Sequence, residues 1–193
     1  MTLVPSDAHS LPPVIAAMVR PATAGGVLAF AALAVLGTAF AFQYVWGYQP
    51  CPLCHWQRWP WAGAIVLGLA ALAAGTAGRP DLARGVLALA GAVLLGGAGL
   101  AGYHVGVEAG WWQGTAACGG AIYGTGLSTE ELRQRLLTQE VVRCDEVQWR
   151  FAGLSMAGWN GLLSLGGAVA ALWVAAVPVR AGEKRAGKEE AST

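Results

Sequence analysis

Four long apolar blocks run through this chain, at 21–57, 59–78, 85–107 and 151–179, and none of them contains an Asp, Glu, Lys or Arg. Each holds the roughly 20 apolar residues that cross about 30 Å of hydrocarbon at a rise of about 1.5 Å per residue. The pattern predicts four transmembrane helices, near 22–46, 59–77, 85–103 and 151–177. The fold class expected is therefore an all-α membrane protein, a four-helix bundle with one short and one long connecting loop on the same side. Glycine and alanine are frequent inside the blocks, which lets membrane helices approach closely. Ala98, Gly102, Gly106 and Gly110 recur every four residues, and this stripe is expected to be the packing face of the third span.

Composition agrees with that reading. Of 193 residues, 55% are hydrophobic and 12% charged, against about 25% charged in ordinary soluble domains. Without an ionisable side chain at mid-depth, ion or proton transport through the bundle is disfavoured. Arg20, Arg79, Arg84, Arg180, Lys184, Arg185 and Lys188 fall on one side of the four spans. Arg58, Arg133, Arg135, Arg143 and Arg150 fall on the other, where Glu108, Glu130, Glu131, Glu140, Asp145 and Glu146 offset them. The positive-inside rule then places both termini and the 79–84 loop in the cytoplasm. The expected organisation is a cytoplasmic segment 1–21, a membrane domain 22–179 with outer loops at about 47–58 and 104–150, and a disordered cytoplasmic tail 180–193. Arg20, an apolar run and Ala39-Phe40-Ala41 imitate a cleaved secretory signal. The run continues to Trp46, however, so an uncleaved signal-anchor is expected.

All four cysteines, Cys51, Cys54, Cys118 and Cys144, fall on the outer side, where disulfides persist. Four cysteines allow three pairings, and grouping by loop gives Cys51 with Cys54 and Cys118 with Cys144 as a first guess. As a structural staple, the second pair would close a 26-residue loop and stabilise it by about 3 to 4 kcal/mol. Ser128 and Glu131 form a capping box that predicts a short amphipathic helix over 129–139, lying on the interface.

Cys51-Pro52-Leu53-Cys54-His55 admits three readings: a haem-attachment C-x-x-C-H, half of a zinc site whose other half is missing, and a redox dithiol. The redox reading is favoured by Arg58, a fixed cation one turn on, and by a helix N-terminus expected just after Cys54, both of which stabilise a thiolate. Pro60 places the start of regular helix nearer Trp59. Eight of nine tryptophans lie toward the outer side, more than an interfacial belt requires, which hints at a walled site. His104, with Glu108 one turn beyond, stands near that side.

The dithiol with Gln57-Arg58, the four spans, and a long outer loop carrying Cys118 and Cys144 together resemble the DsbB family of disulfide-generating membrane proteins, known for keeping a bacterial periplasm oxidising. The resemblance covers nearly the whole chain and implies an inner-membrane, quinone-dependent dithiol oxidoreductase. A periplasmic DsbA-like thiol oxidant would attack Cys118 and release Cys144, which would engage Cys51 and leave Cys54 as the thiolate facing the quinone. Arg58 matches the family's quinone-site arginine, and His104 the histidine near that quinone. Ubiquinone or menaquinone is the implied acceptor. The DsbA-like protein, the quinone and the bilayer are the implied partners, with neither metal nor nucleic acid. Vitamin K epoxide reductase-type enzymes also combine four helices with four cysteines, but carry their dithiol late in the chain. The alternative outside this class is a non-enzymatic scaffold or metal-binding protein with structural outer cysteines.

Overall fold

A computed structural model describes residues 19–119, 128–130, 133–134 and 142–177. The predicted 129–139 helix as a unit, most of the expected segment 1–21 and the tail 180–193 lie outside the described residues. The elements are α1 (Pro21–Tyr44), α2 (Pro52–Trp56), α3 (Arg58–Thr76), α4 (Pro80–Glu108), a 3-10 turn (Ala116–Gly119), β1 (Arg150–Phe151), β2 (Leu154–Ser155) and α5 (Met156–Ala176). Among the described residues, four helical segments, α1, α2 with α3, α4 and α5, are long and apolar enough to span a membrane. Their outward faces carry Phe30, Leu33, Val66, Leu89 and Val169 in exposed positions, as expected of helices whose solvent is lipid.

Small residues set the helix spacing. A Cβ added to Gly25 would stand 2.7 Å from the Gly68 carbonyl oxygen, and one on Gly68 would stand 2.8 Å from that of Gly25. α1 and α3 therefore touch backbone to backbone, and only glycine fits at both positions. Leu87, Ala90, Leu94 and Ala168 fill the centre of the bundle. The predicted stripe is not the packing face of α4. Of the stripe's four members only Gly106 is buried, under the Trp112 ring, while Gly102 and Gly110 face open space; Leu87, Ala90, Gly91, Leu94, Gly97, Ala101 and His104 carry the rest of the buried face. A strict four-residue repeat drifts around a helix of 3.6 residues per turn, whereas the buried set mixes spacings of three and four and so stays on one face.

Helix limits differ from expectation in three places. α4 begins five residues earlier than predicted, at Pro80, because proline suits the first helical position and Asp81 the positive end of the helix. Arg84 donates to the Ala175 carbonyl at 2.9 and 2.7 Å, supplying a partner that the end of α5 lacks. α4 also runs on to Glu108, so His104 is helical and the long connection starts after it. Finally, α5 begins at Met156, because the chain from Arg150 to Ser155 forms a hairpin. Its turn residues Ala152 and Gly153 have φ of 48° and 83°, the positive values that a tight hairpin turn demands. Ser155 then caps α5, its Oγ accepting from the Gly158 N–H at 3.1 Å.

Candidate functional site

Cys51, not Cys54, stands at a helix N-cap: α2 begins with Pro52, and the Cys51 Sγ accepts from the Cys54 backbone N–H at 3.3 Å. One helical turn brings the sulfurs of Cys51 and Cys54 to 3.0 Å as a pair of thiols. Pro60 falls in the first turn of α3, after a junction at Gln57, and breaks nothing there. Cys118 and Cys144 form a disulfide. Both pairs belong to one buried cluster with Leu53 and Val107.

His104 connects them. Its ring, 3% exposed, places Nε2 3.6 Å from the Cys51 Sγ and 3.2 Å from the Cys144 carbonyl oxygen. The Glu108 carboxylate lies 3.9 Å from the same nitrogen. On the ring's other side, Nδ1 meets the Gln57 carboxamide at 2.7 Å. Gln57 accepts from Asn160 Nδ2 at 2.6 Å, and Asn160 Oδ1 accepts from Trp61 Nε1 at 2.6 Å. A continuous chain of polar contacts thus joins α3, α5, α4 and the dithiol.

The Cys51 thiol is lowered to about 4, chiefly because the Cys54 thiol donates to it; burial works in the opposite direction, and His104 and the Cys54 backbone N–H add to the lowering. A carrier of negative charge with several donors holds that charge even where water is scarce. Arg58 plays a smaller part in this than its spacing implied. Its guanidinium donates to Gln43 Oε1 at 2.7 Å and lies over the Phe40 ring, 4.9 Å from the centroid, so it faces α1.

A cavity of about 380 Å³ opens beside the dithiol and is reached by Cys51, Cys54, Arg58 and His104. Its wall is largely apolar, with Leu36 and Phe42 from α1, Leu163 from α5 and Trp149 from the long connection. Phe42 packs against Trp46, Tyr48 and Trp149 with centroids 5.1–5.8 Å apart, so aromatic rings from three segments close one flank. Of the tryptophans expected to wall a site, Trp61, Trp149 and Trp159 line this cavity, while Trp46, Trp56, Trp59 and Trp111 are exposed. Three ligand-type atoms, from Cys51, Cys54 and His104, also lie within 4.8 Å of one another.

The six expected site residues therefore gather at one end of the bundle. Missing from that expectation was Asn160. It is the sole asparagine of the chain and sits within a charge-free apolar block, and a strong amide in such a block is the signal that could have found it.

Fold and site together define a class, multi-span helical membrane proteins that present two cysteine pairs at one bundle end. The family model described as "Disulfide bond formation protein DsbB" matches residues 21–174. A disulfide bond formation protein B of Hahella chejuensis is 36% identical over 149 residues, spanning 72% of this chain and 84% of the relative. That of Marinobacter nauticus is 32% identical over 145 residues, spanning 71% and 81%. No solved structure matches the chain significantly. This chain belongs to the DsbB family, and so to the bacterial multi-pass membrane proteins that form disulfides.

Proposed function

We propose that this protein reoxidises a periplasmic DsbA-like thiol oxidant and passes the electrons through its two cysteine pairs to a membrane quinone, ubiquinone or menaquinone. The observation that carries the reading is His104, whose one nitrogen touches Cys51 and the backbone of Cys144 together. That shared contact, within one buried cluster, supports exchange between the two pairs. In the proposed relay the partner's thiolate attacks Cys118 and expels Cys144. The Cys144 thiolate next attacks Cys51 of an oxidised Cys51–Cys54 pair, expelling Cys54. Each step exchanges one S–S bond for another, as thiol–disulfide exchange requires.

The donor set suits a quinone. An apolar cavity of about 380 Å³ has the size and chemistry of small-molecule sites; Arg58 can offer N–H groups to ring oxygens from its wall, and His104 stands between that wall and the dithiol. When bound, a quinone takes up two electrons and two protons. Arg58, held by Gln43 and Phe40, would orient it, and the aromatic flank would exclude water. The distribution of Lys and Arg supports a topology with the cysteine loops in the periplasm and both termini in the cytoplasm.

A metal-binding reading draws on the Cys51, Cys54 and His104 cluster. One assay separates the two. Purified protein is mixed with a reduced DsbA-like thiol protein and a soluble quinone, and quinone absorbance is followed. Catalytic loss of that absorbance, abolished by Cys118→Ser, is expected. Arg58→Ala is expected to raise the quinone concentration needed for half-maximal rate by about tenfold or more, the worth of a hydrogen bond from a charged donor, with the partner's KM unchanged. No quinone reduction, or near-normal turnover by Cys118→Ser, would overturn the relay.

A further inference from the structure

The chain Trp61, Asn160, Gln57, His104 has a direction that the residue types impose. An indole N–H only donates. Trp61 Nε1, 2.6 Å from Asn160, therefore requires the carboxamide oxygen of Asn160 to face it. The Asn160 NH₂ then faces Gln57 at 2.6 Å and requires the Gln57 oxygen there. That turns the Gln57 NH₂ toward His104 Nδ1, at 2.7 Å, where only a bare, accepting nitrogen makes a bond. A neutral imidazole has one proton, which this leaves on Nε2.

The other end of the chain gives the same answer independently. Nε2 faces a backbone carbonyl, the Cys51 sulfur and the Glu108 carboxylate. A carbonyl oxygen cannot donate, and a carboxylate or thiolate only accepts, so a proton on Nε2 is the arrangement that clashes with none of the three. Reversing the amides would set N–H against N–H at Trp61 and a lone pair against a lone pair at Cys144. With Gln57 only 5% exposed and His104 3% exposed, water has little room to relieve such a clash, and an unmade buried hydrogen bond costs more than a made one gains.

We propose that Trp61, Asn160 and Gln57 are positioning residues that hold His104 as a neutral Nε2–H imidazole, a permanent donor toward the Cys51 sulfur. Two consequences separate this from a merely structural network. A second proton on His104 would meet the Gln57 N–H, so the network opposes the imidazolium that the neighbouring Cys51 and Glu108 charges favour. In addition, Nε2 has no lone pair to offer a metal, although the Cys51, Cys54 and His104 atoms stand close enough to hold one. The cluster is thereby reserved for sulfur chemistry. That last step rests on the exchange reading above, whereas the tautomer itself does not.

The test is ¹⁵N NMR of the full-length protein labelled at histidine in detergent micelles at neutral pH, with the dithiol reduced. The chain has three histidines, and His104→Gln identifies the relevant signals by subtraction. Expected for the unaltered protein is a bare, pyridine-type Nδ1 and a protonated Nε2. Gln57→Glu replaces the donor facing Nδ1 with an acceptor and is expected to put a proton on Nδ1. Asn160→Leu disconnects Trp61 from Gln57 and is expected to move both signals toward averaged values as the tautomers exchange. The same Asn160→Leu protein is expected to turn over about tenfold more slowly, the worth of a hydrogen bond to a charged sulfur. A protonated Nδ1 in the unaltered protein overturns the proposal, whether on a neutral or a doubly protonated ring, and so does Asn160→Leu with unshifted signals. Should Asn160→Leu fail to fold, the unaltered and Gln57→Glu spectra still decide. A bare Nδ1 in a protein that never reduces quinone overturns the exchange reading and supports the tautomer.

Discussion

The two ends of this bundle are held by opposite means. Where α1 passes α3 at Gly25 and Gly68, backbones meet with no side chain between them, and the contact is one of shape. At the dithiol end, the same α3 meets α4 and α5 through Gln57, Trp61, His104 and Asn160, and the contact is one of polarity. Shape contacts among small residues are sensitive to added volume and indifferent to charge. Polar contacts in a buried site are sensitive to the loss of a single donor. The division implies that stability and chemistry can be altered separately.

The largest separation is expected from Cys51→Ser. Removing the sulfur that the relay places at the centre of exchange should abolish turnover of a reduced thiol protein with quinone. Serine preserves the cap on α2, so thermal unfolding in detergent should stay close to that of the unaltered protein. Residual turnover within tenfold of normal would move the chemistry to another residue.

Acid should act on the same end alone. A free cysteine loses its thiolate below about pH 8.5, but the Cys51 thiol is lowered to about 4, first by the Cys54 thiol. Alkylation of the reduced pair is expected to remain level across neutral pH and to fall as pH drops through about 4, by about tenfold per unit below it. Cys54→Ala removes the largest contribution and should raise the midpoint, leaving less thiolate at any given pH. A stopped-flow alkylation profile that bends near the ordinary cysteine value, with or without Cys54, would show that the pair does not hold charge in this way.

Gly68→Leu tests the other end. Its Cβ would meet the Gly25 carbonyl oxygen at 2.8 Å and the Ala29 nitrogen at 2.9 Å, and backbone atoms cannot step aside as a flexible side chain does. A loss of about 1–3 kcal/mol is expected, typical of an overfilled packed site. It should appear as a lower thermal midpoint in detergent, with exchange per folded molecule unchanged. Equal losses in stability and in turnover would show that the two ends are coupled.

How much of this was legible in the sequence follows the same division. The four spans were readable because lipid excludes charge over about 20 residues, a one-dimensional signal. The cysteines were readable for the same reason, as the reactive residues in the gaps. Packing was not, because the Ala98 to Gly110 stripe looked regular while the buried face of α4 follows a different phase. The polar chain was invisible because its members are far apart in sequence. Asn160 and Gln57 are 103 residues apart, and Gln57 and His104 are 47 apart. The gathering of His104 with Cys51 was expected only through resemblance, since nothing in the spacing of the two residues requires it. Arg58 shows the converse, for spacing alone aimed it at the thiols and the fold turned it toward Gln43.

The hairpin before α5 gives the smallest expected effect and the cleanest control. Ala152 holds φ of 48°, a region where a side chain carrying Cβ is strained and glycine is not. Ala152→Gly removes that strain of about 1 kcal/mol, but glycine also gains freedom in the unfolded chain worth about 0.4–1 kcal/mol. The two effects oppose, so the net change in stability should lie within about 0.5 kcal/mol of zero. Ala152→Val adds branching at the same positive φ and should lower the thermal midpoint measurably. Residue 152 is not a member of the polar chain; the hairpin joins it through the first turn of α5, where Ser155 caps the helix and the Phe151 carbonyl accepts from Trp159 Nε1 at 3.0 Å. Turnover per folded molecule should then be unchanged in both. If Ala152→Val instead slows exchange while the midpoint holds, the register of α5, and with it the placement of Asn160, is set by this turn, and the two kinds of contact are less separable than the ends of the bundle imply.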